Sequence, residues 1–365
     1  MPPAKKQKPL ILVTGSSGLI GKCLTEALRD DYQIIGLDIN APDSAVVGAE
    51  WMECDLTSDE SVSDVMARIR EECGGKVASV VHLAAYYDFT GEPSPMYDKL
   101  TVEGTRRLLN GLKSFDQVEH FVFSSSLLVM KPIETAERKL TEASPTQAEW
   151  DYPQSKLETE RLLEEEHGDI PLVILRLAGV YDEDCNSLPI SQHIRRIFEK
   201  QAESYVFPGD AECGQPFVHL DDVIKCFRKT IEKRGNLEEK ELFLIAEPDL
   251  MSYRQLQETL GTLIHGKMWP TVRIPKTVAR SGAWMKEKLP GLESFIKPWM
   301  IDLADDHYPV EIKRARERLD WSPTMRLSDT LPTMIERLMR DPREWYETNN
   351  LPVPDGVKEL AGTKP

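Results

Sequence analysis

Apolar residues first cluster in Leu10-Ile11-Leu12-Val13, a short run unbroken by polar positions. An amphipathic stretch follows from Leu19 to Arg29, and then a second apolar run in Gln33-Ile34-Ile35-Gly36-Leu37. The alternation persists. Glu50-Trp51-Met52 reads as a third strand, Ser58 to Glu72 as a helix N-capped by Ser58, and Val77 to Leu83 as a strand. Pro95 to Leu112 reads as a helix, His120 to Phe123 as a strand, Tyr152 to Glu166 as a helix and Leu172 to Leu175 as a strand. Short unbroken apolar strands separated by helices predict an α/β fold with a parallel sheet covered on both faces. Right-handed crossovers make such a sheet doubly wound. Beyond about residue 180 the pattern loosens into helices and prolines, with short strands at Phe217-Val218-His219 and Leu242 to Ile245.

Composition narrows the class. The chain has 365 residues, 41% of them hydrophobic and 29% charged, an ordinary globular balance with ample length for a buried core. A formal net charge of -16 argues against nucleic-acid binding, because phosphate backbones attract basic surfaces. Cys23, Cys54, Cys73, Cys185, Cys213 and Cys226 form no CxxC pair and no histidine cluster at zinc spacing. Reduced cysteines, no metal site and a cytoplasmic address are therefore expected. The basic stretch Met1 to Pro9 runs straight into strand-like residues without the apolar core of a signal peptide. No uncharged apolar run approaches the roughly 18 residues of a membrane span.

The strongest local signal is Thr14-Gly15-Ser16-Ser17-Gly18-Leu19-Ile20-Gly21, set between the first strand and the first helix. Gly15 permits a tight turn, Gly18 lets backbone approach a pyrophosphate, and Gly21 allows close helix packing; the helix N-terminus offers N–H groups to phosphates. A bare glycine turn is a weak signal, but strand, turn and helix occur here in the required order. Asp38 ends the second strand, 20 residues beyond Gly18. A carboxylate there accepts hydrogen bonds from ribose hydroxyls and repels a 2′-phosphate, which favours NAD over NADP.

Tyr152 and Lys156 have YxxxK spacing, which places both on one helix face. A lysine ammonium there favours the tyrosinate and lowers the Tyr152 pKa, making it a usable acid or base. Alone, this spacing is common and fits a solvated helix face. Ser124-Ser125-Ser126 follows the strand His120 to Phe123, at the sheet end where ligands bind, and a serine hydroxyl there can hold a substrate oxygen. The ordered conjunction of these features is far more specific than any one of them.

With Asp55-Leu56, His82-Leu83-Ala84-Ala85, Gly104-Thr105, Phe217 to Val223 and Asp320-Trp321-Ser322-Pro323, the chain resembles an extended short-chain dehydrogenase/reductase of the NAD-dependent epimerase/dehydratase superfamily. The resemblance runs from about Leu10 to Leu338. It implies a Rossmann domain over 10–180 after a flexible start at 1–9. A smaller, mostly helical substrate lobe over 181–341 would follow, with segments returning to the main domain, and a tail at 342–365 lying extended or frayed. It also implies a cofactor site of Gly15, Ser17, Gly18, Leu19, Ile20, Asp38, Asp55, Leu56, Leu83, Ala84, Ala85, Ser124, Tyr152, Lys156 and Leu177. The catalytic group would be Ser126, Tyr152 and Lys156, with Ser125 the alternative serine, and the protein a homodimer through the helices bearing Thr101 and Tyr152.

Several residues depart from the sugar-nucleotide members. Arg176 to Tyr181 lacks their Asn, Gln215-Pro216 stands where an Arg is common, and Thr101 replaces an Asn. The Thr-Asp-Glu triplet of the 4,6-dehydratases falls on Ser126-Leu127-Leu128, which argues against dehydration. Pro275 to Met300 carries Val278, Trp284, Met285, Leu289, Leu292, Phe295, Ile296, Trp299 and Met300, interleaved with Lys286, Lys288 and Lys297. Such spacing fits core packing, a lid over an apolar substrate, or a peripheral membrane contact. Tyr86, Tyr87 and Phe89 add aromatic lining, or pack as an ordinary loop. The leading expectation is an NAD-dependent enzyme acting on a secondary alcohol or ketone, similar to the 3β-hydroxysteroid dehydrogenase-like branch. A sugar-nucleotide epimerase and a non-catalytic NAD-sensing protein are the alternatives.

Overall fold

The computed structural model describes residues 8–42, 44, 46–88, 91–133, 138–287 and 295–357, apart from the side chains of 284–287. Seven parallel strands form the central sheet. They are β1 (Leu10–Thr14), β2 (Gln33–Asp38), β3 (Ala49–Glu53), β4 (Ser79–His82), β5 (Phe121–Ser126), β6 (Leu172–Leu177) and β7 (Lys240–Ile245), in the spatial order β7-β6-β5-β4-β1-β2-β3. The order reverses between β1 and β4, and the crevice outside the carboxyl ends of these two strands is where a doubly wound sheet binds its ligand.

The unbroken apolar strands arise because both faces are covered. Ile11 and Val13 of β1 point into one core with Leu24 and Leu28 of helix α1 (Leu19–Leu28) and with Phe227 and Ile231 of the helix Leu220–Glu232. Leu10 and Leu12 point into the opposite core. There they meet Val62, Met66 and Ile69 of α2 (Asp59–Cys73) and Leu108, Leu109 and Leu112 of α3 (Glu103–Leu112). Ser58 N-caps α2 by accepting from Ser61 N. The helix α4 (Asp151–Glu166) lies on this same side and buries Leu162 and Leu163 there.

A third core belongs to the C-terminal part. It joins Ile190, Ile194 and Ile197 of the helix Leu188–Phe198 to Leu256 and Leu260 of the helix Tyr253–His265 and to Leu331, Met334 and Leu338 of the helix Leu327–Arg340. Phe217–His219 pairs in parallel with Gly179–Tyr181, and Val206–Pro208 with Val272–Ile274. All six cysteines are free. Among the described residues, no helix is long and apolar enough to cross a membrane.

Three features differ from the sequence-based expectations. The helix expected over Pro95 to Leu112 begins as a π-helical turn, Tyr97–Val102, before α3 takes over. The three serines are the last residues of β5 and not a turn beyond it, because they continue the ladder: Ser124, Ser125 and Ser126 pair with Leu175, Arg176 and Leu177. The start of the tail is folded and not extended. Pro342–Thr348 is helical, Trp345 and Tyr346 are buried in the third core, and the Tyr346 hydroxyl donates to Glu199 at 2.7 Å. Proline at N1 and the Asp341 cap on Glu344 N start that helix where composition alone suggested a loose end. Replacing Trp345 by Ala is expected to cost about 3–5 kcal/mol, the range for deleting a large buried aromatic. Denaturant unfolding measures this, and a loss well under about 1 kcal/mol would mean that the tail helix is not seated.

Candidate active site

The glycine turn is shaped by close backbone contact. Gly15 has φ +68°, and a Cβ there would stand 2.8 Å from Ala84 N at the end of β4. A Cβ on Gly21 would collide with Gly15 O and Ser16, so only glycine lets α1 start this near the turn. Gly15 N donates to Leu37 O at 2.9 Å, and Gly18 N to Gly15 O at 3.1 Å. Gly18 caps α1 without any side-chain hydrogen bond, which leaves the first N–H groups of Leu19 and Ile20 to a ligand.

Asp38 is held against this turn. Its Oδ2 accepts from Ser17 N at 3.0 Å and its Oδ1 from Asn40 N at 3.1 Å, while Ser17 Oγ donates to Asn40 O at 2.7 Å. Asp55 closes the next loop by accepting from Thr57 N and Oγ1 at 2.8 and 2.7 Å. Leu56 is buried beside Gly104, where a Cβ would stand 3.1 Å from the leucine Cβ. Leu83, Ala84 and Ala85 line the end of β4 half-buried, and Leu177 closes the end of β6. An uncapped helix start, a backbone cradle without side chains and a fixed carboxylate together fit a dinucleotide.

Thr14 organises the cradle from below. Its Oγ1 accepts from Leu83 N and Ala84 N, both at 3.2 Å, so its own proton goes to His82 Nδ1 at 2.6 Å. That fixes the proton of His82 on Nε2, which donates to Thr105 Oγ1 at 2.8 Å, and Thr105 donates to Thr101 O at 2.6 Å. Burial, followed by the Lys156 charge, pushes His82 down to about 3 and keeps it neutral.

Across the cleft, α4 sets its residues against the three serines. Ser126 lies near the Tyr152 hydroxyl and pulls its pKa down against burial, while its own Oγ accepts from Leu128 N at 3.2 Å. Lys156 Nζ donates to Ser124 O at 2.7 Å and lies 4.8 Å from the Phe123 ring centroid. Ser126 is thus the serine near the tyrosine, and Ser125 donates instead to Glu160 further along α4. Against the expected lowering, burial pushes the Tyr152 phenol up to about 12, only partly offset by Ser126, with the Lys156 ammonium 5.9 Å from the ring centroid. Burial also brings Lys156 down to about 7, against an opposing pull from Glu160.

Aromatic side chains wall the mouth above Tyr152. Tyr87 meets it edge-on with centroids 4.7 Å apart, and Trp150 lies 5.5 Å away. Trp299, on the short helix Pro298–Asp302, lies tilted against Trp150 with ring centroids 4.9 Å apart. The loop bearing Tyr87 is pinned from the π-helical turn: Tyr86 N donates to Thr101 Oγ1 at 3.0 Å, and the Tyr97 hydroxyl donates to Asp88 O at 3.0 Å. The stretch expected as core, lid or membrane contact is therefore divided: Val278 is 58% exposed, whereas Trp299 sits at the mouth. Phe89, Lys288, Leu289 and Leu292, and the side chains of Trp284, Met285 and Lys286, lie outside the described residues.

The model of the NAD dependent epimerase/dehydratase family matches residues 11–246, well over half of the chain. The chain belongs to that family. NAD is the family's cofactor, and its members are epimerases, dehydratases and reductases of the extended short-chain dehydrogenase type. A curated relative, the dTDP-4-dehydro-6-deoxyglucose reductase of Escherichia coli, is 22% identical over 90% of this chain and 97% of its own length. Among solved structures, the dTDP-glucose 4,6-dehydratase of Bacillus anthracis in complex with NAD is 18% identical with a TM-score of 0.68, covering 93% of this chain and 99% of that one. The UDP-glucose 4-epimerase of Thermotoga maritima with UDP-glucose is 22% identical with a TM-score of 0.65, covering 91% and 99%. At these identities the structural likeness speaks for the fold.

Thr14, Thr105, Trp150 and Glu160 also take part in the site, beyond the residues that the motifs single out. Glu160 carried a readable signal, four residues beyond Lys156 on the same helix face. Trp150 carried none, since its role depends on the fold bringing Trp299 to it.

Two measurements check this site. Asp38→Ala is expected to weaken NAD binding about 10- to 100-fold, the loss of charged hydrogen bonds, and to leave NADP binding little changed, as read by calorimetric titration. The second concerns pH. His82 has a folded value near 3 against 6.5 unfolded, so on acidification the unfolded chain takes up a proton that the native one does not. Stability is then expected to fall as pH drops from about 6.5 towards 3, and His82→Asn should flatten that slope in denaturant titrations.

Proposed function

We propose that the protein is an NAD-dependent oxidoreductase that interconverts a secondary alcohol and a ketone on a small, flat, largely apolar substrate. The observation that carries this reading is the aromatic wall of Tyr87, Trp150 and Trp299 directly over Tyr152. Such a wall favours the faces of a rigid ring system. A nucleoside diphosphate needs cations, and on the C-terminal side Lys276 and Arg280 are paired with Asp305 and Asp302. Gln215 stands where an arginine is common in sugar-nucleotide enzymes.

In this reading Ser126 holds the substrate oxygen and the Tyr152 hydroxyl exchanges a proton with it. With burial keeping Tyr152 protonated, the site suits proton donation to a ketone oxygen, the reductive direction. Lys156 braces the end of β5 through Ser124 O and supplies the nearby positive charge that a tyrosinate would need. NAD, when bound, accepts or returns the hydride. A flat apolar substrate seated against these rings would exclude water and strengthen these interactions.

A second reading, a sugar-nucleotide epimerase or reductase, is favoured by the near full-length match to the Escherichia coli reductase. NADH formation from NAD separates the two. A panel of polycyclic and alicyclic secondary alcohols is expected to yield net NADH absorbance, and Tyr152→Phe to lower that rate about 100- to 10,000-fold with NAD binding retained. Interconversion of UDP- or dTDP-sugars, with no turnover of the apolar alcohols, would replace the first reading by the second.

A further inference from the structure

Helix α4 carries a third residue on the face of Tyr152 and Lys156, and it touches the same strand end. The three lie four residues apart, and they meet Ser126, Ser124 and Ser125 respectively. Glu160 is 3% exposed, and Oε1 accepts from the Ser125 hydroxyl. Arg176, 6% exposed, grips the same carboxylate with two nitrogens: Nε to Oε1 at 3.0 Å and Nη2 to Oε2 at 2.6 Å. Ser125 and Arg176 are register partners across the β5–β6 ladder, so one carboxylate from α4 staples two adjacent strands at their carboxyl ends.

A buried ion pair is weak as a stability device, since well-packed apolar residues of similar volume often do as well or better. Its location suggests a different use. Shifting Ser125 would move Ser124 and Ser126 with it, and through them the contacts of Lys156 and Tyr152. The carboxylate also stands one helical turn from the ammonium, the geometry of an opposite-charge pair. We propose that Glu160, held by Arg176, is a positioning residue that keeps Ser126, Tyr152 and Lys156 in register. The inference rests on the Ser126–Tyr152–Lys156 reading of the site.

The groups around Lys156 support this role. Tyr152 and Glu160 face it from α4, and neutral His82 from β4; Arg176 of β6 is paired with Glu160, and Tyr97 of the π-helical turn lies near Tyr152. Of these, Glu160 is the group that pulls Lys156 upward against its burial. Without that carboxylate, burial acts unopposed and the lysine loses its proton at lower pH.

The test follows the Lys156 13Cε resonance through a pH titration of the full chain labelled with 13C-lysine, assigned by its loss in Lys156→Met. The double variant Glu160→Leu/Arg176→Met removes the pair and keeps apolar volume. It is expected to unfold cooperatively, with the Lys156 midpoint moved down by about one pH unit or more. Glu160→Gln, which keeps the side-chain shape, is expected to shift it in the same direction and carries the test if the double variant does not fold. A folded variant with the midpoint unmoved would overturn the proposal and leave Glu160 a purely structural group. The titration needs no substrate, so it is separable from the catalytic reading. If Tyr152→Phe left turnover intact, the catalytic reading would fail while the Glu160 result stood.

Discussion

The site depends on how closely the backbone at Gly15 lies against Ala84. These residues end neighbouring strands at the one place where the strand order reverses, and no side chain fits between them. The contact brings the start of α1 to the mouth of the crevice, and the Thr14 hydroxyl locks the β4 end beneath it with two N–H bonds. Because Thr14 has then accepted twice, the protonation of His82 is settled, and with it the chain of hydrogen bonds to Thr105 and the carbonyl of Thr101. A backbone clearance on one side of the cleft therefore reaches the π-helical turn on the other. That turn in turn holds the loop that sets Tyr87 on Tyr152.

On the far wall, the constraint is the four-residue repeat of α4 read against three consecutive residues of β5. Helix and strand periods differ, so only a short stretch of each can match. Here the match falls on Ser124, Ser125 and Ser126, and burial does the rest. It holds the Tyr152 hydroxyl up at about 12 and brings Lys156 down to about 7, so the phenol stays protonated while the ammonium nears the working range of acid–base chemistry. The same burial makes the Glu160–Arg176 pair consequential, because a charge beneath the site acts there through little water.

The sheet was legible in the sequence because both its faces are covered. Ile11, Leu12 and Val13 serve two cores, so β1 shows an unbroken apolar run in place of an alternation. The glycine turn and Asp38 were legible because their spacing follows from backbone geometry. Other parts were not. The π-helical turn at Tyr97–Val102 has no composition signal, and the helix Pro342–Thr348 is visible only once the third core offers Trp345 a place. The upward shift of Tyr152 depends on how deeply the mouth buries it, which neighbouring residues in the sequence do not reveal. Membership of the epimerase/dehydratase family agrees with the motif reading, whereas the aromatic wall depends on Trp150 and Trp299, residues 149 positions apart that the fold brings together.

The most direct measurement is a thermal unfolding series of the purified protein with NAD, with NADP, and with NAD plus UDP-glucose. A ligand that binds only the native state raises the midpoint. A rise with NAD, a much smaller one with NADP and no further rise with UDP-glucose is the predicted result, since Asp38 suits a free ribose and the aromatic mouth does not suit a diphosphate. A strong additional rise with UDP-glucose would contradict the account of the substrate side, and an equal response to NADP would contradict the account of Asp38.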